Sequence, residues 1–325
     1  MAFDMRQRRG LICLLLGSVA ALTAATVVDY PLTKWLAGNG WAVFAEIMGR
    51  SLFEGERPGG GDLVIFFIIG VFGFYALSLR STAPERVAAW RPVLGFMVVG
   101  IILTAFAYVH TLKWLVARAR PNLVFDGQYA FSAWYEMGPH FVTEGIYHGS
   151  FTSGHTAQAF VMMVLAYALA GNPAAGRGLK SVGWMVGALV VVYALGMGLA
   201  RCMSLSHWVT DVVGAVVISW VALHVLYFDI LKVPQQLRHW KALDRAGDLR
   251  IGWELLLGFY LVAMFLGILV SGIGLRALWV AQARWLAILL VPGIPAVIWG
   301  FRRSSAGCRN LYRGLAAVDK EPIAA

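Results

Sequence analysis

Residues 201–231, RCMSLSHWVTDVVGAVVISWVALHVLYFDIL, join a group of polar side chains to a long apolar run. The run, from about 208 to 231, is long enough to cross a hydrocarbon core of about 30 Å, which takes roughly 20 helical residues. It directly follows Arg201 and His207, and Asp211 lies about one helical turn inside it. The stretch therefore predicts a transmembrane helix with ionisable groups at one end, and ionisable groups inside a membrane are candidates for function.

The composition of the whole chain also indicates a membrane protein. Of its 325 residues, 59% are hydrophobic and 14% are charged, and the mean hydropathy is +0.70. Eight apolar runs are long enough to span, at about 10–28, 62–79, 92–112, 156–171, 181–200, 208–231, 253–274 and 284–301. Arg284, Pro292 and Pro295 interrupt the eighth run, so a seven-span arrangement stays open. The GxxxG of Gly183 and Gly187 predicts close helix packing in the fifth run. We expect an all-α integral membrane protein.

The distribution of basic residues predicts the orientation. The chain has 27 Lys and Arg against 17 Asp and Glu, a net charge of +10. If the N-terminus is cytoplasmic, most of the 27 basic residues fall in inner segments, as the positive-inside rule requires. The charge is then explained by topology and by attraction to anionic lipid, and no nucleic acid partner is expected. Residues 1–28 also have the basic start and apolar stretch of a signal peptide, which is the alternative for this segment.

Three polar stretches fall at the outer end of this arrangement. They are KWLVARARP at 113–121, SFTSGHTAQ at 150–158 and RCMSLSHWVTD at 201–211. Lys113 and Arg120 are seven residues apart, so on a continuing helix both would project from one face. The sequence therefore predicts that cationic side chains gather at the outer membrane face.

The second and third stretches add the groups of a phosphate site. Ser153 and Gly154 precede a helix, so their backbone N–H groups are expected to point at an anion there. His207 and Asp211 are four residues apart, which places one above the other at the start of the sixth span. With Arg201 beside them, these groups predict a site for a phosphate.

The same residues also allow other interpretations. Lys and Arg at the end of a span usually extend to the interface, and Arg118 is expected simply to contact lipid headgroups. His155, His207 and Asp211 are also residue types that bind metal ions. The surrounding cations argue against a metal, because they repel a divalent ion and attract an anion. We therefore expect neither a metal ion nor a cofactor.

Taken together, the three stretches closely resemble the signature of the type 2 phosphatidic acid phosphatase (PAP2) superfamily, KxxxxxxRP, PSGH and SRxxxxxHxxxD. The matching residues are Lys113, Arg120 and Pro121, then Ser153, Gly154 and His155, then Arg201, His207 and Asp211. Thr152 replaces the usual proline and Ala200 replaces the usual serine. The resemblance covers residues 92–231 at the level of motifs, and neither departure removes a charged or proton-transferring group.

The resemblance implies a fold and a division of the chain. It implies a six-helix PAP2-like transmembrane core at 1–235, with all motifs within 113–211. Residues 236–325 would then form a basic cytoplasmic loop, about two further transmembrane helices and a basic cytoplasmic tail. The loop 122–149, which is long and rich in aromatic residues, would lie beside the site, where a long connection often acts as a lid or substrate selector.

The resemblance also implies an enzyme. Its catalytic residues would be His207 as nucleophile, Asp211 as the group that orients it and His155 as acid and base. Its phosphate-binding residues would be Lys113, Arg120, Ser153, Gly154 and Arg201. The expected protein is a lipid phosphate phosphatase of the bacterial inner membrane with its site facing the periplasm, and its partners are the lipid substrate and membrane lipids. Candidate substrates are undecaprenyl diphosphate, phosphatidylglycerol phosphate, phosphatidic acid and lipid A phosphates. The alternatives are a lipid phosphotransferase that uses the same histidine and a non-catalytic protein that binds or transports phospholipid.

Overall fold

The structure, a computed structural model, describes residues 5–52, 55–80, 82–137, 149–246 and 252–318. All regular secondary structure in these ranges is helical. The α-helices are α1 Met5–Asn39, α2 Ala42–Gly49, α3 Gly60–Ser78, α4 Glu85–Ala88, α5 Arg91–Ile101, α6 Tyr108–Val116, α7 Pro121–Phe125, α8 Gly154–Phe160, α9 Met163–Ala170, α10 Arg177–Met203, α11 Val209–Val225, α12 Val233–Ala246, α13 Trp253–Ala277 and α14 Leu290–Val318. A π-helical segment, Ile102–Ala107, joins α5 to α6, another, Leu226–Ile230, follows α11, and a 3₁₀ segment, Ala281–Leu289, precedes α14.

Within those ranges, seven helical segments are long and apolar enough to cross a membrane. They are Arg8–Asn39, Gly60–Ser78, Arg91–Phe125, Arg177–Met203, Val209–Ile230, Trp253–Ala277 and Ala281–Val318. The prediction of an all-α integral membrane protein is therefore confirmed. The interrupted eighth run is part of a long helical segment, whereas the fourth run forms the shorter apolar stretch Gly154–Ala170.

The first helix is longer than its apolar run predicts. The run ends at about 28, but α1 continues to Asn39 and packs against α11. Asp29 is therefore an interior residue of a helix, 2% exposed, and its Oδ1 accepts a hydrogen bond of 2.8 Å from the backbone N–H of Thr210. The extension places a carboxylate of α1 beside the start of α11.

Close packing of α10 against α9 follows the predicted GxxxG. A Cβ atom added at Gly183 would lie 2.9 Å from Ala170 Cβ, and one added at Gly187 would lie 3.3 Å from Ala166 Cβ. The two helices therefore approach to a distance that only small residues allow. The predicted role of these glycines in helix packing is confirmed.

Helix α13 packs against α3 and against α6, which carries the first motif. Glu254 on α13 accepts a hydrogen bond of 2.8 Å from the Tyr75 hydroxyl of α3. At the other end of α13, Arg276 donates to the carbonyl of Leu115 in α6. Because α6 also carries Lys113, α13 supports the helix that delivers a predicted site residue.

Candidate active site

The first motif turns sharply after Lys113. Helix α6 ends before Ala117, which adopts the left-handed conformation with φ of 48° and closes the helix through a hydrogen bond to the Lys113 carbonyl. The expectation that Lys113 and Arg120 share one face of a continuing helix is therefore wrong, because a left-handed residue ends the helical hydrogen-bond series. Lys113 Nζ instead donates to the carbonyls of Gly149 and Ser150, at 3.3 and 3.4 Å. Arg120 stands just before α7 and remains partly exposed.

The second motif caps α8 and is joined to the third by its backbone. Ser153 is the N-cap residue, and its Oγ accepts a hydrogen bond of 2.9 Å from the Thr156 hydroxyl. The backbone N–H of Ser153 donates to the carbonyl of Asp211 at 3.0 Å. The expectation that this N–H points at an anion is therefore wrong. Gly154 lies beside the first motif, since a Cβ atom added there would lie 3.6 Å from Lys113 Cε.

The third motif brings a histidine against a carboxylate. His207 precedes α11, and its backbone N–H donates to the carbonyl of Arg201 at 3.2 Å. Oδ2 of Asp211 accepts the backbone N–H of Trp208 at 2.8 Å and lies 3.4 Å from Nδ1 of His207. The pair that the four-residue spacing predicts is therefore in contact.

The three stretches meet at one end of the helices. Besides the Ser153 contact, the N–H of Asn122 donates to the carbonyl of Leu205 at 3.1 Å, which joins the first stretch to the third. The charged groups that act on His155 are Arg201, Lys113 and Arg120, and those that act on His207 are Lys113, Asp211 and Arg120. The structure therefore places Lys113 and Arg120 near both histidines, and Arg201 near His155.

The site is largely closed to solvent, and this sets the protonation of His207. The exposed fractions of Lys113, His207 and Asp211 are 4%, 2% and 0%. Burial, together with the positive charge of Lys113, lowers the pKa of His207 to about 3. The imidazole is therefore neutral near pH 7. If Nδ1 of His207 carries the proton and donates it in a hydrogen bond to Asp211, the lone pair of the ring lies on Nε2.

Arg118 is a site residue whose environment the sequence analysis predicted wrongly. The sequence pattern predicts contact with lipid headgroups, but the side chain is 0% exposed, and Nη1 donates to Oδ1 of Asp211 at 3.0 Å. The left-handed turn at Ala117 places it inside the protein. The sequence contained a signal for this pairing. Arg118 lies close to one span and Asp29 close to another, neither has an assigned role, and ionisable groups in membranes usually pair.

The described part of the long loop packs against the second and third stretches. The rings of Phe131 and Trp208 lie 4.9 Å apart, and those of Trp134 and Phe151 lie 5.6 Å apart. Residues 138–148, the remainder of the proposed lid or selector, lie outside the described residues. The loop thus contributes at least part of the wall beside His207.

Comparison with known proteins agrees with the geometry of the site. The family model described as the PAP2 superfamily matches residues 93–233. Neither the curated proteins nor the solved structures contain a match to the chain. The matched segment includes every predicted catalytic and phosphate-binding residue. Over residues 93–233 the chain is therefore similar to the PAP2 superfamily.

Proposed function

We propose that this protein is a metal-independent phosphatase that hydrolyses a lipid phosphate or diphosphate through a phosphohistidine. The PAP2 match supports phosphatase activity in general. The observation that carries the finer proposal is the buried His207–Asp211 pair, with 3.4 Å between Nδ1 and Oδ2, in a site where Lys113 and Arg120 also act on the histidine. A neutral imidazole held by a carboxylate and surrounded by cations is suited to attack a phosphate.

In the first step, Nε2 of His207 forms a bond to phosphorus as the bond from phosphorus to the leaving oxygen breaks. Asp211 accepts a hydrogen bond from Nδ1–H of His207 and stabilises the positive charge that develops on the ring. The bound phosphate dianion offsets the cations around His155, so that His155 takes up a proton and gives it to the leaving alcohol or phosphate, which departs without a full negative charge.

In the second step, water releases the phosphoryl group. His155, now deprotonated, accepts a proton from water, whose oxygen attacks phosphorus and breaks the bond to Nε2. The negative charge of the equatorial oxygens is balanced in both steps by Lys113, Arg120 and Arg201, with Ser153 Oγ and the Gly154 N–H as further donors. His207 returns to its neutral form, and phosphate leaves.

The substrate is proposed to be a lipid of the outer leaflet of the bacterial inner membrane. The site residues lie near one end of the apolar segments Arg91–Phe125 and Val209–Ile230, and the end of a membrane-spanning segment is where the bilayer presents lipid headgroups. The excess of basic residues in the segments assigned to the cytoplasm supports a site that faces the periplasm. The motif residues bind the phosphate that undecaprenyl diphosphate, phosphatidylglycerol phosphate, phosphatidic acid and lipid A phosphates share.

Phosphate release from purified protein tests the proposal. Wild type, His207→Ala and His239→Ala are compared in detergent with EDTA, each with a panel of those four lipid classes. His239 lies on α12, outside all three motifs, so its variant controls for loss of a histidine. We expect release from at least one lipid by wild type and His239→Ala, and a loss of about 10³-fold or more in His207→Ala.

The same experiment separates the alternatives. Binding of the lipids without release from any of them would contradict the enzyme and favour a binding or transport protein. Release of the alcohol only when an acceptor is added, with phosphate recovered on that acceptor, would favour a phosphotransferase. Release that EDTA abolishes and a divalent metal restores would contradict the metal-independent mechanism.

A further inference from the structure

Arg118 is bound on every side, although the PAP2 signature leaves its position unspecified. Its Nη2 donates to Oδ2 of Asp29 at 2.7 Å, and its Nη1 donates to Oδ1 of Asp211 at 3.0 Å and to Oγ1 of Thr210 at 2.8 Å. Its Nε donates to the carbonyl of Ser132 at 2.8 Å. The guanidinium therefore links α1, the long loop and α11 in one buried network.

Asp29 completes this network from the first helix. Its Oδ2 accepts the Thr210 hydroxyl at 2.6 Å as well as Arg118, and its Oδ1 accepts the Thr210 backbone N–H at 2.8 Å. Thr210 directly precedes Asp211 in the first turn of α11. Asp29 thus holds both the guanidinium and the backbone beside the carboxylate that contacts His207.

Aromatic rings restrict the plane of the guanidinium. Cζ of Arg118 lies 5.1 Å from the ring centre of Trp208 and 5.4 Å from that of Phe131. Trp208 is itself fixed, because its Nε1 donates to the carbonyl of Ala119 at 2.8 Å. The guanidinium lies against two aromatic rings and is hydrogen-bonded to two carboxylates, so it has little freedom to rotate. It therefore presents Nη1 to Asp211 in one orientation.

Both carboxylate oxygens of Asp211 have partners within the protein. Its Oδ1 accepts Arg118, while its Oδ2 accepts the backbone N–H of Trp208 and faces Nδ1 of His207. Without Asp29, the whole charge of Arg118 would act on Asp211 and weaken it as an acceptor for the imidazole. With Asp29, two carboxylates share one guanidinium, so that less of its charge acts on Asp211.

Burying three charged groups is costly, and such networks seldom add stability compared with apolar residues of similar size. We infer that Asp29 and Arg118 are positioning residues, which act through Asp211 to hold His207 in the orientation and tautomer that attack requires. The inference rests on the proposed function, in which His207 is the nucleophile. It makes α1, outside the matched segment 93–233, part of the catalytic apparatus.

Asp29→Asn tests the inference, with Asp62→Asn as the matched control. Asp62 is also a buried outer-end aspartate, 6% exposed, and it accepts three hydrogen bonds, from Ser51, Leu52 and Gly59. Thr210→Val serves as a milder second variant, because it removes only the hydroxyl that joins Asp29 to Arg118. Phosphate release and thermal unfolding are measured for all variants and for His207→Ala, and the ¹⁵N ring signals of His207 are measured for each protein that keeps this histidine.

We expect Asp29→Asn to lower kcat by about 10- to 100-fold, the range found when groups that orient metal-binding residues are removed. KM is expected to change by less than about threefold, because the cations that bind phosphate are untouched. Thr210→Val should lower kcat in the same direction by a smaller factor. Asp62→Asn should keep the wild-type kcat, whatever its effect on unfolding. The ¹⁵N signals of His207 should change in Asp29→Asn and stay unchanged in Asp62→Asn.

Two results would overturn the inference. One is a folded Asp29→Asn or Thr210→Val protein with the kcat and His207 signals of wild type. The other is an equal loss of kcat in Asp62→Asn, which would reduce the effect to general destabilisation. Full activity of His207→Ala would instead refute the proposed function, and the ¹⁵N signals of His207 in Asp29→Asn would still decide whether Asp29 orients the ring.

Discussion

Gly198→Ala is expected to disturb the site through one added methyl group. Gly198 lies on α10, three residues before Arg201. A Cβ atom added there would overlap Val212 Cγ1 and would lie 2.9 Å from Thr156 Oγ1. Val212 follows Asp211 on α11, and Thr156 is bonded to the capping Ser153, so neither neighbour can move without moving a part of the site.

The size of the effect follows from these contacts. Overpacking of this kind costs about 1–3 kcal/mol, and replacing glycine by alanine within a helix returns up to about 1 kcal/mol. We expect a net loss of about 1–2 kcal/mol in the free energy of unfolding, which lowers Tm by a few degrees, about 2–5 °C. Because a shift of about 1 Å in a catalytic group can cost about 10²-fold in rate, we expect kcat/KM to fall by about tenfold or more.

Gly196→Ala is the matched control for this prediction. It lies two residues earlier on α10, where an added Cβ atom would sit 3.7 Å from both Met48 Cε and Phe44 Cζ, an ordinary contact distance. Thermal unfolding in detergent and phosphate release from the best lipid substrate are measured for both variants. Equal Tm and equal kcat/KM in the two proteins would refute the reasoning, because the predicted difference depends only on what each methyl group meets.

Three further predictions concern protonation, packing and orientation. The ¹⁵N signals of His207 should titrate with a midpoint far below 6.5, near the pKa of about 3. The free energy of unfolding should fall as the pH drops from 6.5 toward 3, because in this range His207 is readily protonated in the unfolded chain but not in the folded protein. A midpoint near 6.5 would contradict the closed site. Tyr75→Phe should lower the free energy of unfolding by about 1–3 kcal/mol, because buried Glu254 loses the hydroxyl that donates to it at 2.8 Å, and unchanged unfolding would contradict this role. A cysteine placed at exposed Asp126 should react with an impermeant maleimide in intact cells, and one at exposed Gly176 only after permeabilisation; the reverse pattern would overturn the orientation.

Local patterns predicted the helices and the packing of α10 well. Apolar runs report burial in lipid directly, because every spanning backbone must satisfy its own hydrogen bonds as a helix. Gly183 and Gly187 likewise predicted a close helix contact, since the requirement for small residues is visible in one segment. The four-residue spacing of His207 and Asp211 predicted their contact, since both residues lie in one short segment.

The parts that sequence patterns missed depend on contacts between distant segments. The left-handed conformation of Ala117 ends α6 inside an otherwise helical pattern, and no glycine or proline at that position signals it. The pairing of Arg118 with Asp29 joins residues 89 positions apart, so it follows from how α1 packs against α11. The spacing within a single motif contains no information on either feature.

The central claim is that a phosphoryl group passes through His207. Wild type and His207→Ala are mixed with the best lipid substrate in EDTA, quenched in alkali within the first turnover, and digested for mass spectrometry under conditions that preserve phosphohistidine. We predict a phosphoryl group on His207 of wild type that forms before free phosphate appears, and none in the variant. Rapid phosphate release by wild type without a phosphoryl group on His207, or with one on a different residue, would contradict the account.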